Sequence, residues 1–228
     1  MAGLPLAGVR VLDLTHLWAG PLCTQVLARL GADVVKIEGP NRPDPLRLLP
    51  KPPYGQPSFD TLNAGKNGVA IDLGTSAGRE ALLGLLDAAD GVVDNYSPRA
   101  LENWGLDPQQ LATSHRLHWI SMPSFPTAGP LGRFGTHGAG IEGASGLAAL
   151  NSDGGTPRLL DVPLTDPLAG LRAALAFLSS FRSGADGAHV ELSQYEVARD
   201  VVALSELAPR VRLPAVPPII ELSRAAVA

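Results

Sequence analysis

The sequence predicts an α/β domain with a doubly wound, mostly parallel sheet. Three observations carry this. The first forty residues read strand, tight turn, helix, strand, which is a βαβ unit. Short Val/Ile/Leu runs then alternate with helical repeats along most of the chain. No internal repeat or low-complexity tract interrupts that alternation.

The elements follow in order. Val9 to Leu14 is an apolar run with one acid, Asp13, and reads as the first strand. Leu22 to Leu30 has helical spacing, with Leu22, Val26, Leu27 and Leu30 on one face, and Gly31 stops it. Asp33 to Glu38 is the second strand. Gly39 to Pro57 is a loop whose repeated prolines forbid helix or central strand. Val69 to Leu73 reads as a strand, followed by a helix capped by Thr75 or Ser76 that runs to Ala89, with Leu82, Leu83, Leu85 and Leu86 on its buried side. Gly91 to Asp94 and Leu117 to Met122 are further strands, and Asn95 to Pro98 is a second strand-to-helix turn. Pro123 to Gly138 is loop, and Ala139 to Leu150 is partly helical. Gly154-Gly155 is a turn without the strand and helix a phosphate cradle needs. A helix from Thr165-Asp166-Pro167 to Arg182 carries Leu168, Leu171, Leu175 and Leu178 on one stripe. Ala188 to Leu192 is a short strand, and Ser193-x-x-Glu196 is a capping box opening the last helix. The α/β domain is thus expected over residues 1–208, with a Pro-rich tail over 209–228.

Bulk properties narrow the function. The chain has 228 residues, 45% of them hydrophobic, enough for a sizeable core. A net charge of -4 gives no general attraction to nucleic acid or an anionic membrane. One cysteine, Cys23, excludes an internal disulfide framework and multi-cysteine metal sites; it sits among apolar residues and reads as core. Arg10 and Asp13 interrupt any signal-like apolar run, and Leu168 to Phe181 is too short to span a bilayer. A cytoplasmic protein without a metal is the expectation. The turn after the first strand is where ligands bind in such units. It carries His16, Leu17, Trp18, Ala19 and Gly20 in place of a GxGxxG fingerprint, which argues against a plain nicotinamide-dinucleotide site.

Three blocks, PLAGVRVLDLTHLWAGPLCTQVLARLGADVVKIE, LNAGKNGVAIDLGTSAGREALLGLLDAADGVVDNYSPRALENWGLDPQQL and PLTDPLAGLRAALAFLSSFRSGADGAHVELSQYEVA, resemble family III CoA-transferases of the formyl-CoA transferase type and the related α-methylacyl-CoA racemases. The resemblance spans about residues 5–200 in the family's order. It implies the family's Rossmann-like large domain without its small domain. It also implies coenzyme A or an acyl-CoA and a small carboxylic acid as substrates.

Asp166 matches the family's catalytic aspartate. Read from the residues alone, Pro167 would sit at the first helical position and make Asp166 an N-cap, where free amides and the helix dipole favour the ionised form. The resemblance places His16, Leu17, Trp18 and Ala19 against CoA, and Trp18 offers an apolar plate for its arm. It assigns Lys66, Asn95 and Tyr96 to the nucleotide pocket, and Arg99 is a further phosphate contact by position. Glu102-Asn103-Trp104 departs from the family pattern, which often has an Arg there. His137 matches a racemase histidine that works with the aspartate as an acid–base pair, although Gly138 stands where racemases have Asp.

Three functions stay open at this point: a CoA-transferase using an aspartyl anhydride and thioester, a 2-methylacyl-CoA racemase using His137 and Asp166, or a non-catalytic CoA-binding or partner-binding module. The family's usual chain is longer, with a small domain that lays a glycine-rich loop over the aspartate. The resemblance therefore implies a homodimer, or a hetero-oligomer with a chain that supplies the missing half.

Overall fold

A computed structural model describes residues 3–49, 57–152 and 154–207. The expected tail over 209–228 lies outside the described residues, as does part of the Pro-rich loop.

Six strands form one sheet: β1 (Arg10–Leu14), β2 (Asp33–Glu38), β3 (Asn67–Ala70), β4 (Gly91–Asp94), β5 (His118–Ser121) and β6 (Ala188–Glu191). Their spatial order is β3-β2-β1-β4-β5-β6, and every neighbouring pair is parallel. This is the doubly wound order, in which the chain departs from β1 in one direction and returns to β4 on its other side. The carboxyl ends of β1 and β4 therefore lie side by side, with Leu14 in register with Asp94. Two turns diverge from that point and leave a crevice between them.

Strand periodicity distributes the core. Val11, Val93 and Ile120 face α1 (Ala19–Arg29) and α8 (Thr165–Arg182), and pack with Cys23, Leu27, Ala173, Ala174 and Phe177. Leu12, Leu14, Val92 and Trp119 face the opposite side. There they meet Leu82 and Leu86 of α3 (Ser76–Leu86), Leu101 of α4 (Pro98–Trp104) and Ala112 of α5 (Pro108–Ser114). The short α2 (Phe59–Asn63) precedes β3. Beyond β5, α6 (Gly138–Ser145) and α7 (Leu147–Leu150) pack against α9 (Gln194–Leu207). Gly170 lets α8 lie against α1: a Cβ there would collide with the Ala19 carbonyl oxygen.

Several expectations shift. The β3 strand is Asn67–Ala70 rather than 69–73, and α1 begins at Ala19, three residues before the expected start. Leu83 of α3 is exposed, whereas Leu82 and Leu86 are buried in the core and Leu85 packs partly against it. The leucine stripe of α8 is the larger correction. Leu168, Leu171 and Leu175 are 36%, 47% and 64% exposed, while the small residues Ala169, Gly170, Ala173 and Ala174 pack inward. Close approach of α1 selects small residues over the first half of the buried face, while Phe177 fills the core further along and Leu178, the last of the expected stripe, packs partly against it. Among the described residues, no helix is long and apolar enough to cross a membrane.

Candidate active site

The crevice between the β1 and β4 turns opens into two cavities that share His16, Pro45, Tyr96 and Ala100. The larger, about 690 Å³, runs over the ends of β1–β3 beside Arg42, Asp72, Asn103 and Trp104. The smaller, about 380 Å³, ends at His137, Asp166 and Gln194. A cleft of cofactor size thus adjoins, across these shared residues, a cavity that ends at a carboxylate.

The floor of the site is a buried charge cluster. Asp13 is fully buried at the end of β1 and accepts from the Thr15 amide at 2.9 Å, Thr15 Oγ1 at 2.5 Å, Thr24 Oγ1 at 2.7 Å and Lys66 Nζ at 2.9 Å. Burial pushes the Asp13 carboxyl up. The Lys36 and Lys66 charges and the threonine bonds outweigh that and hold it at about 2. Lys36 Nζ donates to the Thr15 carbonyl at 2.7 Å and forms an ion pair with Asp44 Oδ2 at 3.2 Å; that oxygen has no hydrogen-bonded partner. Asp44 Oδ1 accepts from the Leu17 and Leu46 amides at 3.1 and 3.0 Å. These anchors hold Leu17 at φ +65°, a left-handed conformation that costs a non-glycine residue energy and persists only where its surroundings enforce it.

On that floor stands His16. The Asn95 side chain spans to it from the β4 turn, accepting from the His16 amide at 2.9 Å and donating to the His16 carbonyl at 2.8 Å. The His16 ring meets the Tyr96 hydroxyl through Nε2 at 2.8 Å. Burial holds the imidazole below its usual range, with the Asp44 charge acting in the opposite sense, so His16 is neutral near pH 7. Beneath Tyr96, the buried Asp94 accepts from Trp119 Nε1 at 2.7 Å, Ser121 Oγ at 2.6 Å and the Tyr96 amide at 3.1 Å. Burial nevertheless raises its carboxyl to about 6.

At the far wall, Asp166 is the second residue of α8, with Leu164 as N-cap, so the expected N-cap position does not hold. Its Oδ1 accepts a long bond, 3.4 Å, from Gln194 Nε2 of α9. Its Oδ2 lies against Gly138, where a Cβ would sit 2.5 Å away. Burial raises the carboxyl to about 6; the Gln194 bond opposes the rise and the nearby Glu142 adds to it. The expected depression by the helix terminus is overridden by desolvation.

Of the sequence-derived candidates, the structure gathers His16, Leu17, Asn95, Tyr96, His137 and Asp166 around the smaller cavity. Four lie elsewhere. Trp18 is buried with Leu46 and Leu62, so it is core and no plate for a ligand arm. Ala19 is buried against Ala169 and Val197. Lys66, with a side chain 1% exposed, is held by Asp13, Thr24, Asn63 and the Pro21 carbonyl and does not face the cavity. Arg99 is exposed on α4 and lines neither cavity. Cys23 is fully buried, and burial pushes its thiol up, which makes it inert. Sequence reasoning missed Asp13, Lys36, Asp44, Asp94, Glu142 and Gln194. For Asp13, Lys36 and Asp94 the signal was present, since a charge inside a buried parallel strand needs a partner.

Residues 6–211 match the family described as CoA-transferase family III. The chain belongs to that family. It is 34% identical over 210 residues to succinyl-CoA–D-citramalate CoA-transferase of Chloroflexus aurantiacus, covering 89% of this chain and 51% of that protein. It is 29% identical over 214 residues to succinate–glutarate CoA-transferase of Agrobacterium fabrum, covering 87% and 53%. Among solved structures, Rv3272 of Mycobacterium tuberculosis superposes with a TM-score of 0.79 at 30% identity, over 91% of this chain and 60% of that one. The chain spans about half the length of the curated relatives it matches.

Proposed function

We propose that the protein moves CoA between an acyl-CoA and a carboxylic acid, with Asp166 as nucleophile. The observation that supports this most is the carboxylate lining a cavity that shares His16, Pro45, Tyr96 and Ala100 with an adjoining cleft of about 690 Å³. Family membership supplies the chemistry that fits it. With its carboxyl at about 6, Asp166 is ionised about ten to one at pH 7, yet more basic and more nucleophilic than an exposed aspartate.

The sequence of bonds balances without an external proton. The Asp166 carboxylate attacks the thioester carbonyl, the C–S bond breaks, and CoA leaves as thiolate from an acyl-aspartyl anhydride. The thiolate attacks the aspartyl carbonyl, releasing the first acid as carboxylate and leaving an aspartyl-CoA thioester. The acceptor carboxylate attacks that thioester and forms a second anhydride. Thiolate attack on the acceptor's carbonyl then yields the new acyl-CoA and restores Asp166. Neutral His16, fixed by Asn95 and Tyr96, lies where the reacting end of the CoA arm would pass. A second polypeptide carrying the remainder of the family's length belongs to this proposal.

Hydroxylamine trapping during turnover tests it. An Asp166 hydroxamate found by peptide mass spectrometry, absent in Asp166→Asn, supports the reading. Lack of that adduct both in the chain alone and with a relative's C-terminal half supplied in trans overturns it.

A second reading, a racemase pairing His137 with Asp166, is favoured by the presence of both in one cavity. It predicts exchange of the α-proton of a 2-methylacyl-CoA with solvent deuterium. Gly138 weighs against it, since the Asp166 carboxylate occupies the space a side chain at 138 would need.

A further inference from the structure

Glu142 lies on α6, fully buried, outside the set of residues singled out from the sequence. Its two oxygens are divided between two backbone amides of the segment that delivers Asp166. Oε2 accepts from the Leu160 amide at 3.1 Å and Oε1 from the Leu164 amide at 3.2 Å. Leu164 is the N-cap of α8, two residues before Asp166, so one carboxylate fixes both ends of the run that sets the helix start. Gly138 sits one turn earlier on the same α6 and abuts Asp166 Oδ2. α6 thus reaches Asp166 twice: by close backbone approach at Gly138 and by the clamp at Glu142.

We propose that Glu142 is a positioning residue for Asp166: it locks residues 160–164 to α6 and keeps a second carboxylate within electrostatic reach of the one in the cavity. This rests on the reading of Asp166 as the reactive carboxylate. A like charge nearby disfavours ionisation of Asp166. The Glu142 charge thus adds to burial in holding the Asp166 carboxyl at about 6, where a carboxylate is both abundant near neutral pH and a stronger nucleophile. The other groups around Asp166 do not supply this effect. Gln194 of α9 is uncharged and acts in the opposite sense. His16 and His137 carry no negative charge in any protonation state. On α9, Glu196 is bonded to Ser193, Arg199 to the Ser145 carbonyl and Asp200 to Arg172.

The test titrates Asp166 directly in the 228-residue chain, by aspartate side-chain carbon NMR assigned through Asp166→Asn, with amide exchange at Leu160 and Leu164 read on the same samples. Glu142→Gln keeps the shape, removes the charge and turns one acceptor into a donor. It is expected to lower the Asp166 midpoint by about half a pH unit or more and to speed exchange of at least one of the two amides roughly tenfold. Glu142→Asp keeps the charge on a shorter stem, so exchange is expected to accelerate while the midpoint stays near that of the parent. A Glu142→Gln midpoint within about 0.2 units of the parent overturns the electrostatic half. Unchanged amide exchange in both variants overturns the clamp, and Glu142→Asp decides that point should Glu142→Gln fail to fold. Neither readout requires turnover. A shifted midpoint without any trapped Asp166 adduct would sink the transferase reading and leave only the physical coupling of Glu142 to Asp166 standing.

Discussion

The Asn95 side chain holds the His16 peptide from both sides, accepting its N–H at 2.9 Å and donating to its C=O at 2.8 Å. The two residues are 79 positions apart, and this pair of bonds joins the turns after β1 and β4 across the crevice. Asn95, expected in the nucleotide pocket, lines the smaller cavity and commits its side-chain amide to His16. Asn95→Ala leaves both His16 groups part-buried and unpaired, so unfolding free energy is expected to fall by about 1–3 kcal/mol in urea titration. CoA affinity is expected to fall as well, because His16 and its Tyr96 partner lose their fixed position. Unchanged calorimetric affinity would show that the bracket does not shape the site.

Lys66 gives the sharpest contrast between a ligand and a structural role. Its ammonium has four acceptors and pairs with a fully buried Asp13. Removing one partner of such a pair strands the other charge and costs about 3–5 kcal/mol. Lys66→Met is therefore expected to unfold the chain or lower its stability by that order, and Asp13→Asn with Lys66→Met to recover part of the loss. A well-folded Lys66→Met protein that loses only CoA affinity would restore the phosphate-contact role.

The sheet was legible because strand period and length survive in a single sequence, as in Asp33–Glu38 and Gly91–Asp94, whose ends match the structure residue for residue. The capping box at Ser193 and Glu196 was legible for the same local reason, and its bonds are 2.7 and 3.1 Å. What stayed hidden depends on tertiary approach. Trp18 looks like a ligand plate in sequence, and only the packing of Leu46 and Leu62 makes it core. The α8 leucines look like a buried stripe, and only the Gly170–Ala19 contact shows that α8 buries small residues in place of Leu168, Leu171 and Leu175, with Leu178 alone of the stripe packing against the core. Glu142 has no sequence signal, because its partners are backbone amides 18 and 22 residues away.

Stability should respond to pH in two separate windows. Asp13 is depressed from 3.8 to about 2, so it contributes stability above pH 3.8 that is lost as pH falls toward 2. Asp94 and Asp166 are raised from 3.8 to about 6, so the folded state binds more protons than the unfolded one between those values. These two carboxyls therefore contribute stability that declines as pH rises from about 4 to 6, by a few kcal/mol in total, while the imidazoles of His16, His118 and His189, held below their usual range by burial, contribute in the opposite sense as pH approaches 6.5. Urea midpoints across that range check it. Asp166→Asn should remove the part of that decline due to Asp166, and a parent-minus-variant difference that stays flat between pH 4 and 6 would contradict the raised Asp166 carboxyl.

The exposed face of α8 predicts behaviour in solution. Leu168, Leu171 and Leu175, together with Leu164 at 44% and Val162 at 41% exposure, leave an apolar strip facing water. Strips of this kind drive association. The chain is expected to self-associate at micromolar concentration, and Leu171→Glu with Leu175→Glu to shift it toward monomer without lowering its thermal midpoint by more than about 1 kcal/mol equivalent, since both side chains already lie outside the core. Sedimentation velocity reads the distribution directly. A parent that sediments as a monomer would remove the strip as a contact surface.

Gly138 tests the geometry of the nucleophile itself. A Cβ at 138 would lie 2.5 Å from Asp166 Oδ2 and 2.9 Å from Pro163 Cβ, so Gly138→Ala must displace the carboxylate, the Pro163 ring or both. Gly138 is helical and buried at the start of α6, and alanine suits a helix, so the backbone itself gains from the change. The expected result is a folded protein with a misplaced Asp166. A shift of about 1 Å at a reacting group can cost roughly a hundredfold in rate. Hydroxamate yield at Asp166 is accordingly expected to fall tenfold or more, to about a tenth of the parent or less, while CoA affinity is expected to change little. An alanine variant that traps acyl groups at the parental rate would show that Asp166 adjusts freely, and that close packing at Gly138 does not aim it.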